Sequence, residues 1–65
     1  MKTLQTETIG LDTISLYKTD KDIYIVELVS SYKKQIEFTE LDNATHLYSK
    51  TVKHAKSNPS LNKVH

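Results

Sequence analysis

The fold of this chain is decided by residues 23–29, which read Ile23-Tyr24-Ile25-Val26-Glu27-Leu28-Val29. β-branched and aromatic residues fill this stretch, a composition typical of a strand that is at least partly buried on both faces. Turn-forming residues precede it at 19–22, and a polar break follows it at 30–34. We therefore predict that residues 23–29 form the central strand of a sheet.

Two shorter stretches, residues 13–18 and residues 35–38, alternate apolar with polar side chains and predict partner strands. Strands that follow one another through short loops indicate an antiparallel meander. Residues 1–10 are polar and rich in threonine, and we expect them to be irregular. The sequence thus predicts a three-stranded antiparallel meander.

A change of apolar period at Thr39 predicts one C-terminal helix. Thr39 is the predicted N-cap, and Asn58-Pro59 is the predicted stop, because the residue before proline avoids the helical region. Residues 58–65 are expected to form a frayed tail. The predicted apolar stripe consists of Leu41, Ala44, Leu47, Tyr48, Val52 and Ala55. The expected fold is a single α+β domain over residues 1–65, in the order β-β-β-α, with the helix packed on one sheet face.

Strand register follows from the charge of Glu27. A slip of one residue moves every side chain to the other face, and loops of even length would bury this carboxylate. Odd loops instead place Leu16 opposite Val26, and Leu28 opposite Ile36. The core face predicted in this way consists of Ile14, Leu16, Val26, Leu28, Ile36 and Phe38.

The second sheet face is the candidate interaction surface, because one helix covers only one side of a sheet. Monomeric proteins seldom leave large apolar patches in water, so a cover is expected. Residues 1–11, a second copy of the chain and a different protein are all possible covers. The candidate residues, a set interrupted by Glu27, are Tyr17, Ile23, Ile25 and Val29.

Composition excludes several classes of function. The chain has 65 residues, a formal net charge of +1 and no cysteine, so neither a disulfide framework nor a thiolate metal site is available. Gly10 is the only glycine, which excludes glycine-rich phosphate loops. No apolar run is long enough for a membrane-spanning helix. No secretion signal is recognised either, so a cytoplasmic location is expected.

No arrangement of residues in the sequence indicates a catalytic site, a cofactor site or a metal site. His46 and His54 are eight positions apart and do not share a helix face cleanly. The serines lack a neighbouring base, and a chain this small has little room for a catalytic cleft. We therefore expect a protein that is not an enzyme and uses no cofactor.

Nucleic-acid binding is the alternative interpretation. Six of the nine lysines lie in residues 31–65, and aromatic side chains on sheets can stack on bases. Candidate contacts are Tyr24, Tyr32, Lys33 and Lys34. In addition, the helix opening Phe38-Thr39-Glu40-Leu41-Asp42-Asn43-Ala44 after three strands resembles the arm-type DNA-binding domain of phage and transposon integrases. That resemblance implies a sheet in the major groove, with Lys33 and Lys34 near the phosphate backbone.

The preferred interpretation is a small, non-enzymatic binding or regulatory protein that acts through an apolar sheet face. A homodimer is its simplest form, and an unidentified protein is the other possible partner. Small size and the absence of arginine favour a bacterial or phage origin, and a prophage or mobile element is a natural source.

Overall fold

The computed structural model describes residues 1–57. Four strands form one antiparallel sheet in chain order, and a single helix follows them. The elements are β1 (Lys2–Ile9), β2 (Asp12–Lys18), β3 (Tyr24–Val29), β4 (Lys33–Phe38) and α1 (Leu41–Ser57). The α+β class and the meander followed by a C-terminal helix are confirmed. The predicted frayed tail and its proline lie outside the described residues.

The prediction of three strands was wrong, because residues 2–9 form β1 rather than an irregular segment. Threonine is β-branched and suits a strand even where little is buried, so a threonine-rich edge strand lacks a strong apolar signal. Gly10 and Leu11 form the two-residue turn between β1 and β2, since Ile9 pairs with Asp12. Gly10 has a φ of 63°, the left-handed value that such tight hairpin turns need at their first central position.

Gly10 gives a direct test of this hairpin. A Cβ at this position would meet no atom within 4 Å, so substitution acts through the backbone alone. We expect Gly10→Ala to lower the free energy of unfolding by about 1 kcal/mol, and Gly10→Asn to cost less because asparagine tolerates positive φ. Urea unfolding of both variants measures the difference. Equal stability of the alanine variant and the wild type would contradict the turn geometry.

The predicted odd loops are confirmed. Lys18 pairs with Tyr24 and Val29 pairs with Lys33, so residues 19–23 and residues 30–32 connect the strands. In the first loop, the Thr19 hydroxyl accepts bonds from the backbone N–H groups of Lys21 and Ile23, at 3.2 Å each. Predicted pairs between β2 and β3, such as Leu16 with Val26, are also confirmed.

The predicted register between β3 and β4 was wrong by two residues. Leu28 lies opposite Lys34 rather than Ile36, and Val26 takes the position opposite Ile36. The three-residue turn at residues 30–32 fixes this register, whereas the predicted one would need a longer loop. A shift of two preserves the face of every side chain, so the choice of core face remained right.

The core lies between α1 and the sheet, over β2 and β3. The helix stripe packs there as predicted, although Leu41 is exposed. Ile36 is also 38% exposed, because α1 leaves much of β4 uncovered. α1 begins at Leu41, and the Ala44 N–H donates to the Glu40 carbonyl at 3.2 Å, so Glu40 rather than Thr39 is the cap residue. The buried apolar residues are Ile14, Leu16, Val26, Ala44, Tyr48 and Val52.

Candidate interaction surface

The sheet face turned away from α1, which we call the open face, is covered by no element within residues 1–57. Its membership follows from the strand register, because alternate residues point to opposite faces. Glu7, for example, lies on the α1 side, where its carboxylate contacts Lys56 at 3.0 Å. The open face consists of Thr3, Thr6, Thr8, Thr13, Ser15, Tyr17, Ile25, Glu27, Val29, Lys33, Gln35 and Glu37.

Glu27 lies at the centre of the open face and joins three strands. Its carboxylate accepts a hydrogen bond from the Gln35 amide at 2.7 Å and another from the Tyr17 hydroxyl at 3.2 Å. The Lys33 ammonium lies 3.4 Å from the same carboxylate. The side chain of Glu27 is only 12% exposed although no layer formed by residues 1–57 covers it, since its cross-strand neighbours surround it. The centre of the face is therefore a satisfied polar network.

These contacts lower the pKa of Glu27 below its ordinary value of 4.5. The Gln35 hydrogen bond has the largest effect, partial burial opposes it, and Tyr17 and Lys33 lower the pKa further. A carboxyl group with a lowered pKa stabilises the folded state above its unfolded pKa, and this stabilisation is lost as pH falls through the folded value.

We therefore expect the free energy of unfolding to decrease as pH falls below about 4.5. Glu27→Gln removes the ionisable group, so the variant should lose less stability over the same interval. Urea unfolding of both proteins between neutral pH and pH values below 4.5 measures this difference. Parallel pH profiles for the two proteins would show that the Glu27 network does not form.

Three of the four predicted interaction residues share the open face. Tyr17 pairs with Ile25 across β2 and β3, and Val29 lies four residues along from Ile25. Ile25 and Val29 therefore flank Glu27 on the same strand. Ile23 lies in the loop before β3, where its carbonyl accepts a hydrogen bond from the Thr19 N–H at 2.8 Å.

Residues 1–11 do not cover this face. β1 pairs with β2 at the edge of the sheet, and Leu4 and Ile9 pack against the core on the α1 side. Leu11 is 87% exposed in the turn. Of the three possible covers, residues 1–11 are therefore excluded, because they widen the sheet instead of adding a second layer.

The four candidate nucleic-acid contacts lie in different places. Tyr24 packs against the core, whereas Tyr32 is 59% exposed in the turn between β3 and β4. Lys33 lies on the open face beside Glu27, and Lys34 lies on the α1 side. The open face carries one lysine against two glutamates, which disfavours contact with phosphates there.

No metal site is found among the described residues. Within residues 1–57, no group of three or more histidine, aspartate or glutamate side chains is arranged to hold a metal ion. His46 and His54 are both exposed on α1. None of the described helices is long and apolar enough to cross a membrane.

Comparisons of the chain with protein-family models, curated proteins and solved structures gave no match. The resemblance to an arm-type domain therefore stays a prediction, and the fourth strand departs from the three-stranded pattern on which it was based.

The sequence reasoning missed Gln35 and the threonine and serine pairs of the open face. The hydroxyls of Thr6 and Ser15 lie 2.9 Å apart, and those of Thr8 and Thr13 lie 3.3 Å apart. Gln35 lies opposite Glu27 when the loop before β4 has three residues, as it does in the structure, and not in the predicted register with its longer loop. The loop length was therefore the signal that could have identified Gln35. Without β1 as a strand, Thr6 and Thr8 had no partners to find.

Proposed function

We propose that this chain is a small, non-enzymatic protein-binding module that docks through its open face, and that a second copy is the first partner to test. The observation that supports it is a four-stranded sheet with one face under α1 and the other without a second layer in residues 1–57. Sheets with one bare face that carries apolar side chains are commonly completed by another layer.

The side chains of the open face suit a protein partner. Ile25, Val29 and Tyr17 supply apolar and aromatic area, which contributes most of the binding energy in protein interfaces. Glu27 is already held by neighbouring donors, so a partner adds little to its desolvation. The nearly balanced charge of the face avoids strong repulsion between two copies.

Sedimentation over a range of protein concentrations, together with affinity capture from the source cells, tests this proposal. A concentration-dependent dimer, or a captured protein, should be lost with Ile25→Asp and kept with Leu11→Asp. Leu11 is the matched control because it is exposed in a turn outside the open face. The proposal would be overturned if the wild type stayed monomeric at all concentrations and the two variants captured the same proteins as the wild type.

Nucleic-acid binding remains the second candidate, favoured by the exposed Tyr32 beside Lys33 and Lys34. The two functions respond differently to salt. Contacts to phosphates weaken linearly on a log–log plot as salt rises, whereas apolar association persists or strengthens. Fluorescence anisotropy of a labelled DNA duplex at low salt distinguishes them, and our proposal predicts no binding.

A further inference from the structure

We infer that the free edge of β4 receives an added strand, an extended acidic peptide segment whose apolar side chains enter a groove between β4 and α1. This edge groove is about 210 Å³ in volume and lies on the α1 side, away from the open face. The inference therefore does not depend on the proposed function. The groove is lined by Val26, Leu28, Lys34, Ile36, Leu47 and Thr51.

The two edge strands, β1 and β4, differ in how regularly they could pair with an added strand. The register of β1 shifts between Thr3 and Gln5, an irregularity of the kind that blunts sheet edges. β4 pairs regularly with β3 along all six of its residues. Within the described chain no other strand pairs with β4, so its outer backbone groups are available. A regular, exposed edge is where an extended peptide adds to a sheet.

The groove supplies the pocket that side-chain recognition needs. In strand addition, backbone hydrogen bonds provide affinity, and pockets for alternate side chains provide specificity. Ile36 and Leu47 form apolar walls beside the β4 edge, and Ile36 is 38% exposed. Every second side chain of an added strand would point to the α1 side and meet this groove.

The charged side chains around the edge groove indicate which kind of peptide would bind there. Lys34 lines the groove, and Lys50 lies on the adjoining surface of α1 with Leu47 and Thr51. Among residues 1–57, no acidic side chain lines either surface. On the α1 side, Lys34 makes one end of β4 basic, while Ile36 and Phe38 make the other end apolar. The preferred segment therefore has acidic residues at the Lys34 end and apolar ones at the Phe38 end.

A second copy fits this edge less well. If two β4 strands paired antiparallel around Gln35, both copies of Lys34 would lie on the α1 side of the joined sheet. Lys33 of each copy would lie opposite Glu37 of the other on the open-face side, but Lys34 would lie opposite Ile36, so the positive charge beside the groove would gain no acidic neighbour. An acidic segment from another protein is the better match.

The test uses a labelled, capped peptide with alternating valine and threonine in one half and two glutamates in the other. We expect saturable binding by fluorescence anisotropy at concentrations up to about 1 mM. Lys34→Glu should weaken binding about fivefold, and a peptide with lysine in place of glutamate should restore it. Lys53→Glu is the matched control, because Lys53 lies on α1 but lines neither surface beside β4, and should leave binding unchanged.

Two N-methylated peptides test strand addition itself. In an added strand, every second backbone N–H points toward β4 and the others point away from it. Methylation of the N–H groups that point toward β4 should abolish binding, whereas methylation of the others should not. Ile25→Lys, which keeps β3 and β4 paired through an attractive contact with Glu37, should leave peptide binding intact, and this separates the edge site from the open face. Equal effects of both methylated sets, or no binding, would overturn the inference. So would a dimer lost with Lys34→Glu, which would assign the edge to a second copy, or DNA binding lost with that change, which would assign it to nucleic acid.

Discussion

Replacement of Ile14 by alanine is expected to lower the free energy of unfolding by about 3 kcal/mol, the largest stability effect of any single change considered for this chain. Ile14 is 0% exposed and lies on β2 beneath α1, in the core that holds helix and sheet together. Loss of its side chain leaves a cavity and removes apolar burial. A folded chain of this size has about 3–10 kcal/mol of stability in total, so the variant should be largely or partly unfolded.

Urea unfolding followed by circular dichroism measures this loss. Leu11→Ala is the control, since the same kind of truncation at an exposed turn residue removes almost no buried area. We expect its unfolding midpoint to match that of the wild type. A small effect of Ile14→Ala, comparable with that of Leu11→Ala, would mean that α1 does not pack on β2 as described.

Ile25→Asp is expected to weaken self-association at least about a hundredfold. Burial of an isoleucine contributes about 1.5–3 kcal/mol, and a two-fold interface contains each substitution twice. Every 1.4 kcal/mol changes the dissociation constant tenfold. Sedimentation equilibrium compares the dissociation constants of the wild type and the variant.

A second substitution at position 25 separates loss of self-association from loss of sheet stability. Ile25 lies opposite Glu37, so aspartate at position 25 also creates a cross-strand repulsion. Ile25→Lys instead creates an attractive pair with Glu37 and should preserve the sheet. We expect both variants to lose association. Loss in the aspartate variant alone would show that the effect comes from a weakened strand pair, which would contradict docking through Ile25.

The sequence predicted the layers of the fold because hydrophobic periodicity is local. The stripe from Ala44 to Val52 and the alternation around Ile14 and Leu16 identified the core, and the charge of Glu27 decided which face it occupies. β1 could not be found in the same way. Its threonines carry no amphipathic signal, and its stability depends on pairing with β2, which is a tertiary property.

The candidate site was predicted only in part. Residues of β2 and β3 could be assigned to the open face, because periodicity alone gives the face of each side chain. The bond from Gln35 to Glu27 was not foreseen because the predicted register between β3 and β4 was wrong. The bond from Tyr17 to Glu27 joins diagonal neighbours, since Tyr17 lies opposite Ile25, and the face of each side chain alone does not predict it. The face expected to be apolar therefore has a polar centre, with Ile25 and Val29 on either side of it.

Amide chemical shifts recorded by NMR while the protein concentration rises to about 1 mM test the open face most directly. We predict progressive shifts in residues of β2 and β3 around Tyr17, Ile25 and Val29, absent in Ile25→Lys, with little change along α1. Spectra that stay constant over this range, or shifts that cluster on α1, would contradict self-association through the open face.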